Sequence, residues 1–260
     1  MRLKILFLGV FFVSLTFFSL VLFQGLEFEN EAMVFIEKED IPTIVIDPGH
    51  GGFDGGAVAE DGTVEKDINL QIALKLQEML KGYEVNIVMI RDEDESLGQT
   101  GGSIKNKKQQ DLRLRKKIIE EAGADLTISI HLNSYPEDES VYGAQVFYPK
   151  DEQKRTTNKE DEQPSKTYAE SVQKAIEFNI SDGRERQSMA KDDILLFQNP
   201  ASPIILVECG FLSNIDECDR LKTAEYQELL AKSICEGINS ILDVEKKQKI
   251  QIIHSTNKTS

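Results

Sequence analysis

Short apolar runs that end in chemically active side chains constrain the fold of this 260-residue chain more than any other feature. Three such runs lead into a histidine or a glutamate: TIVIDPGH (43–50) into His50, DLTISIH (125–131) into His131, and IILVE (204–208) into Glu208. In an open α/β sheet, ligands bind at the carboxyl ends of the strands. The pattern therefore predicts that these side chains meet at one edge of a sheet.

The rest of the sequence alternates between short apolar runs and longer segments whose apolar residues recur at helical spacing. We expect strands over residues 43–46, 84–90, 125–131, 144–149, 194–197 and 204–208. We expect helices over 64–80, 111–124, 167–180 and 219–242, a polar loop over 91–110 and a surface excursion over 150–165. This alternation predicts an α/β fold in which helices flank both faces of a mixed, mostly parallel, twisted sheet.

The N-terminus carries an uncharged apolar run from Ile5 to Phe23. Basic residues precede this run and acidic residues follow it, which places the start of the chain in the cytoplasm and the remainder outside. About 20 apolar residues are enough to span a bilayer. A signal peptide would end in a small-x-small cleavage site, and no convincing one follows, so we favour a membrane anchor and keep a signal peptide as the alternative. Under both interpretations the remainder is exported.

These features divide the chain into four parts. They are a signal peptide or membrane anchor over 1–25, a linker over 26–41, one globular domain over 42–243 and a flexible tail over 244–260. The formal net charge of −15 argues against nucleic acid as a partner, because phosphates require clustered lysine and arginine side chains. Recognition of a polyanionic partner would therefore depend on local groups.

Three cysteines, Cys209, Cys218 and Cys235, allow at most one intramolecular disulfide. They lack the paired spacing of a structural zinc site. We expect Cys209 and Cys235 to be small buried residues. Cys218 lies in a polar stretch, and we expect it to be exposed.

Two histidines and one carboxylate have the composition of a catalytic zinc site. Each has an ordinary explanation when taken alone: His50 as a loop histidine, His131 as a hydrogen-bonded core histidine, and Glu65 as a first-turn carboxylate that suits the helix dipole. Taken together, they match the three protein ligands of catalytic zinc, which keeps its fourth position open. The combination of fold and ligands is typical of a zinc hydrolase.

Glu208 supplies the acid–base group that such a hydrolase needs. A glutamate at the end of an apolar strand is costly unless it has a role or a partner. Burial would raise its pKa, which suits a general base that accepts a proton from water. The structural alternative is a salt bridge between Glu208 and a lysine or arginine.

Four motifs in order resemble one family. DPGHGG, a glutamate that opens the next helix, SIHLNS and VECGFLSN are similar to the zinc-dependent N-acetylmuramoyl-L-alanine amidases, over about residues 43–242. The resemblance implies that His50, Glu65 and His131 bind Zn²⁺ and that Glu208 is the catalytic glutamate. It also implies that the substrate is peptidoglycan, cleaved between the lactyl group of N-acetylmuramic acid and L-Ala of the stem peptide.

The segment DLRLRKK (111–117) and the N-terminal apolar run are similar to the germination-specific amidases of spore-forming bacteria. This narrower resemblance implies removal of stem peptides so that muramic-δ-lactam forms in the spore cortex. It implies action in the cell wall or cortex, outside the cytoplasmic membrane. If a glutamate ligand at a helix terminus beside a polar loop binds metal weakly, an accessory secreted protein is needed to order the site.

Two positions outside the four motifs need separate comment. A basic residue often precedes the last strand in this family, but Phe197 and Gln198 stand there, so Lys191 or Arg184 would have to anchor the substrate. Asn133 follows His131 closely and is either a partner that orients this histidine or a simple turn residue, which we favour.

Two other functions are compatible with the sequence. The first is a zinc peptidase that cleaves a different amide bond of the cell wall. The second is a non-catalytic zinc protein that binds wall peptides, which the glutamate at position 208 disfavours because a binding module does not need a buried base. A purely structural zinc would require four protein ligands instead of three.

Overall fold

The computed structural model of the protein describes residues 41–98, 102–150, 163–181, 183 and 185–256. The six strands are β1 Thr43–Pro48, β2 Asn86–Met89, β3 Leu126–Asn133, β4 Gln145–Pro149, β5 Met189–Lys191 and β6 Ile204–Phe211. The α-helices are α1 Glu65–Leu80, α2 Ile104–Ala122, α3 Pro164–Ile180, α4 Ile215–Leu221 and α5 Ala224–Thr256, and a 3₁₀ turn spans Leu195–Phe197.

The strands form one sheet in the order β2-β1-β3-β6-β4-β5. Every neighbouring pair is parallel except β4 and β6, which are antiparallel. The mixed, mostly parallel sheet predicted from the sequence is therefore confirmed. Its central strands β1, β3 and β6 are almost continuously buried because helices cover the sheet from both sides.

The larger core lies on the face covered by α1, α3 and α5. The apolar stripe of α1 consists of Ile68, Ile72, Leu76 and Leu80, all of which are buried in this core. These residues recur at the spacing that places one helical face against a sheet. A smaller core on the opposite face packs α2 and the 3₁₀ turn against the sheet, and it includes Ile119 and Phe197. The two cores hold the strands rigidly and leave their carboxyl ends free to carry a site.

The polar segment before α2 was predicted wrongly as a loop as far as residue 110. The helix begins at Ile104, and the hydroxyl of Ser103 accepts a hydrogen bond from the Asn106 amide at 3.4 Å as an N-cap. The first turns of this helix are rich in lysine, asparagine and glutamine, so they lack the apolar spacing by which a helix is identified.

Two further predictions near the C-terminus were wrong. Residues 194–197 form a 3₁₀ turn instead of a strand, and the strand in that region is Met189–Lys191, which pairs with β4. The last helical region is divided into α4 and α5 where the Thr223 hydroxyl accepts a hydrogen bond from the Tyr226 amide. Helix α5 then continues to Thr256, through most of the segment predicted as a tail.

The predicted signal or anchor over 1–25, the linker up to residue 40 and most of the excursion over 150–165 lie outside the described residues. Within the described ranges, no helix is long and apolar enough to cross a membrane. All three cysteines are free and buried. The expectation that Cys218 is exposed was wrong, because α4 packs this thiol into the larger core.

Candidate metal centre

The structure brings His50, Glu65 and His131 together at the carboxyl ends of neighbouring strands. His50 follows β1, His131 lies in β3, and Glu65 is the first residue of α1. Glu65 Oε1 lies 3.3 Å from His50 Nε2 and 3.0 Å from His131 Nδ1. One donor atom from each of the three side chains lies within 4.8 Å of the others. Two imidazoles and a carboxylate at this separation can converge on a single metal ion.

Two glycines make room for this arrangement. A Cβ at Gly49 would lie 2.2 Å from His131 Cε1, and a Cβ at Gly56 would lie 2.4 Å from Glu65 Oε2. Gly56 also has φ of +74°, a conformation that residues with a Cβ rarely adopt. The glycines in DPGHGG and in the following loop are therefore required by the side chains that they touch.

Glu65 is fixed by more than its helix. Its Oε2 accepts a hydrogen bond from the Ala57 amide at 2.8 Å, and its Oε1 accepts one from the Leu132 amide at 3.1 Å. Asn69, one turn later in α1, donates to Oε1 at 3.2 Å. Only 3% of Glu65 is exposed. A carboxylate with these partners is held in one orientation towards the histidines. A glutamate that served only to interact favourably with the helix dipole would not need to be fixed in this way.

The electrostatics of the three residues favour a positive charge between them. Burial acts to lower the pKa of His50, but hydrogen bonds to Asp54 and Glu65 outweigh it and raise the pKa to about 9. Burial acts to raise the pKa of Glu65, yet His131 and His50 hold it well below its usual range. A cation bound here would meet an ionised carboxylate and two oriented imidazoles, so the donor set fits a divalent metal.

Glu208 lies beside the metal-competent cluster. It is the register partner of His131 across the β3–β6 pair and of Gln145 across the β4–β6 pair, so the three side chains share one face of the sheet. Its Oε2 is buried and has no hydrogen-bond partner among the described residues. Burial raises the pKa of Glu208, and the nearby His131 offsets part of that rise.

The structural alternative for Glu208 was a salt bridge to a lysine or arginine. Among the ion pairs of the described chain, none includes Glu208, and its buried Oε2 is unpaired. A buried carboxylate oxygen without a partner costs stability, so its presence next to the cluster suggests a functional reason.

Comparison with known proteins agrees with this geometry. A family model described as N-acetylmuramoyl-L-alanine amidase matches residues 44–240. The germination-specific N-acetylmuramoyl-L-alanine amidase of Bacillus subtilis (strain 168) is 36% identical over 196 residues, which cover 75% of this chain and 77% of the relative. The chain belongs to the N-acetylmuramoyl-L-alanine amidase family.

Solved structures of this amidase family are similar over most of the chain. The CwlD amidase from Clostridioides difficile, solved in complex with the GerS lipoprotein, has 38% identity and a TM-score of 0.72, and the match covers 78% of this chain and 99% of that one. The N-acetylmuramoyl-L-alanine amidase from Clostridium difficile 630 has 30% identity and a TM-score of 0.65, with 78% and 97% covered. The predicted family, fold class and enzyme class are confirmed.

Two arginines that the sequence analysis did not single out hold the loop that carries His50. Arg91 Nε donates to the His50 carbonyl at 2.8 Å, and Arg115 Nη2 donates to the same carbonyl at 2.5 Å. Both arginines also donate to the Pro48 carbonyl at 3.0 Å. The loop needs this support because His50 has φ of +61°, which is unfavourable for a residue with a Cβ.

Arg115 is itself paired with a buried carboxylate. Its guanidinium contacts Asp47 in β1 and Asp111 one turn earlier in α2, the latter at 2.7 Å. Ser129 also donates to Asp47, at 2.8 Å. Burial acts to raise the pKa of Asp47, but Arg115 holds it below its usual range. The aspartate inside an otherwise apolar strand was the one sequence signal that pointed to this pair.

The remaining predicted side chains do not join the metal-competent cluster. Asn133 is the last residue of β3, and its Oδ1 accepts a hydrogen bond from the next amide, Ser134. Lys191 lies over the Phe147 ring at 4.4 Å, and Arg184 lies outside the described residues. The basic residue next to the row of His131, Glu208 and Gln145 is Arg186, whose Nη1 donates to Gln145 Oε1 at 3.0 Å.

Proposed function

We propose that this amidase is zinc-dependent and hydrolyses the amide bond between the lactyl group of N-acetylmuramic acid and L-Ala of the stem peptide in peptidoglycan. The observation that carries the proposal is the buried, unpaired Oε2 atom of Glu208 beside the His50, Glu65 and His131 cluster. A metal-competent site with a desolvated base next to it is suited to hydrolysis of an unreactive amide.

His50, Glu65 and His131 would hold the zinc. Two nitrogen donors and one oxygen donor are a ligand set that catalytic zinc uses, and strand β3, helix α1 and the loop after β1 each supply one of them. Zinc bound at this position supplies a Lewis acid that polarises a carbonyl and lowers the pKa of a water ligand.

Glu208 would carry the proton through the reaction. Its carboxylate accepts a proton from the attacking water, whose oxygen forms a bond to the lactyl carbonyl carbon. The carbon–nitrogen bond then breaks, and Glu208 gives the proton to the departing nitrogen of L-Ala. The products are a lactyl carboxylate and a stem peptide with a free amino terminus. Burial raises the pKa of Glu208, which improves it as a base and allows it to act next as an acid.

We place this activity in spore cortex maturation and germination, outside the cytoplasmic membrane. Support comes from similarity to the germination-specific amidase of Bacillus subtilis and to CwlD of Clostridioides difficile. Removal of stem peptides is the step that allows muramic-δ-lactam to form in the cortex. In the CwlD structure the amidase is bound to the GerS lipoprotein, which supports an accessory secreted protein as a partner of this chain. Residues 1–25 would direct export, as a membrane anchor or signal peptide.

Mass spectrometry of digested peptidoglycan tests the proposal. The full chain is incubated with peptidoglycan in the presence of zinc and, separately, with a chelator. Stem peptides that begin at L-Ala and appear only with zinc are the expected result. Cleavage elsewhere in the peptide would assign the protein to the zinc peptidases instead.

The matched control is Glu208→Gln, which keeps the size of the side chain and removes the base. This variant should retain zinc and release no stem peptides. If neither protein releases product although the wild type binds zinc, the wall-binding function or a missing accessory protein is supported, and addition of the accessory protein separates these two. Cleavage by the variant at the wild-type rate would remove Glu208 from the mechanism.

A further inference from the structure

The His50 ring contacts a carboxylate at each of its two nitrogens. Nε2 faces Glu65 Oε1 at 3.3 Å, inside the metal-competent cluster. Nδ1 faces Asp54 Oδ2 at 3.0 Å, on the side away from that cluster. A neutral imidazole has one nitrogen that donates a hydrogen bond and one that accepts, and the partners of the ring decide which is which. Because the carboxylate of Asp54 can only accept, it places the proton on Nδ1 and leaves the Nε2 lone pair for a metal.

Asp54 is held firmly enough to impose this choice. Its Oδ1 accepts hydrogen bonds from Lys108 Nζ at 2.7 Å and from the Gly56 amide at 3.3 Å. Its backbone forms a reciprocal pair of hydrogen bonds with Gly51, at 2.9 and 3.0 Å. The Asp54 carboxylate is therefore held both by its own loop, through Gly56, and by helix α2, through Lys108.

The His50 ring needs such a partner because the contacts of the His50 main chain do not prevent the ring from rotating. Arg91 and Arg115 both hold the His50 carbonyl, so the main chain is fixed. The side chain of His50 is still 22% exposed, and nothing in those backbone contacts stops the ring from turning. The hydrogen bond to Asp54 is the contact that keeps Nε2 directed at Glu65.

We infer that Asp54 is a positioning residue for the metal centre, which sets the tautomer and orientation of His50, and that Lys108 supports it from helix α2. The inference rests on the proposed metal site. It assigns a role to the aspartate of the loop after His50 and to the first turns of α2. Asp54 carries most of the effect, because Lys108 is 50% exposed and an ion pair of that kind contributes little.

Zinc affinity of the full chain tests the inference, measured by competition with a chromophoric chelator. Loss of a carboxylate that orients a metal-binding histidine weakens metal binding by about 10–100-fold. We expect Asp54→Ala to fall in that range. Asp54→Asn should lose less because its side-chain oxygen still accepts from Nδ1, and Lys108→Met should lose at most about fivefold. The visible spectrum of bound Co²⁺ should change in Asp54→Ala, since it reports the ligand geometry.

Asp94→Ala is the matched control. Asp94 accepts hydrogen bonds from the Gly52 amide at 2.8 Å and from Lys66 at 2.6 Å, so it stabilises the same loop without touching the His50 ring. Its replacement by alanine should leave zinc affinity and the Co²⁺ spectrum unchanged. Equal losses in Asp94→Ala and Asp54→Ala would show that loop order alone matters, and wild-type zinc affinity in Asp54→Ala would also overturn the inference. Absence of zinc binding in the wild type would overturn the proposed metal site itself.

Discussion

Replacement of Arg115 by methionine should destabilise the protein strongly. The Arg115 side chain is 5% exposed and that of Asp47 is 1% exposed, so the pair lies in the interior. Removal of one partner from a buried ion pair leaves an uncompensated charge and costs about 3–5 kcal/mol. For a domain of roughly 200 residues, this corresponds to a fall in Tm of about 6–20 °C.

The double variant Asp47→Asn/Arg115→Met isolates the charge from the other contacts. Arg91 still donates to the Pro48 and His50 carbonyls in both variants, so the loop keeps part of its support. The double variant should recover most of the lost stability, because the fully buried charge is removed together with its partner and only the more exposed Asp111, at 14% side-chain exposure, loses an ion pair. Since the chain has no tryptophan, urea unfolding is best followed by far-UV circular dichroism.

The same pair gives a pH dependence of known sign. Arg115 lowers the pKa of Asp47 in the folded wild type, so the stabilisation is complete above the ordinary aspartate pKa of about 4 and is lost as the pH falls below it. In Arg115→Met, burial without the arginine should raise the pKa of Asp47, so the penalty is largest at neutral pH and shrinks on acidification. A loss below about 1 kcal/mol at neutral pH, the value of a surface ion pair, would refute this reasoning.

Other predictions concern the site and the thiols. Glu208→Gln should lower stem-peptide release by about 10²–10⁴-fold while zinc content stays the same, as measured by mass spectrometry and metal analysis; loss of zinc would contradict its role as a base. His131→Ala should lose both metal and activity, and a variant that retains full zinc would exclude this histidine as a ligand. Gly49→Ala should lose zinc, because its Cβ would lie 2.2 Å from the His131 ring. The three buried cysteines should react with a thiol reagent only after unfolding, and fast labelling of the native protein would contradict their burial.

The sequence correctly predicted the strands and helices in which the spacing of apolar residues agrees with the position of turn-forming residues such as glycine and proline. Strands β1, β3 and β6 are rich in branched apolar residues, and each leads to or contains a residue that the structure places in or beside the metal-competent cluster. The start of α2 was missed because its first turns are polar on all sides. The 3₁₀ turn at Leu195–Phe197 was missed because a short apolar run has no periodicity that would distinguish a strand from a buried turn.

The partners of the metal-competent cluster were harder to predict than the cluster. Asp54 lies in a glycine-rich loop, where an aspartate is typical of any turn. Arg115 lies in a run of basic residues, and the sequence does not show which of them points inward. The role of Arg115 depends on a contact over a long sequence separation, since His50 lies 65 residues away. Asp54 contacts His50 at a separation of only four residues, but its composition does not distinguish it from other turn aspartates. Cys218 was misjudged for a similar reason, because polar neighbours in the chain say little about the core that α4 meets.

The position of β6 in the sheet has a consequence for truncated forms of the chain. This strand, the last of the six along the chain, lies between β3 and β4, so each of those strands lacks its partner on that side until residues 204–211 are present. A chain that ends before residue 204 contains the three metal-competent side chains but lacks both Glu208 and the strand that joins β4 and β5 to the rest of the sheet. Such a fragment would lack the side chain that we propose as the base.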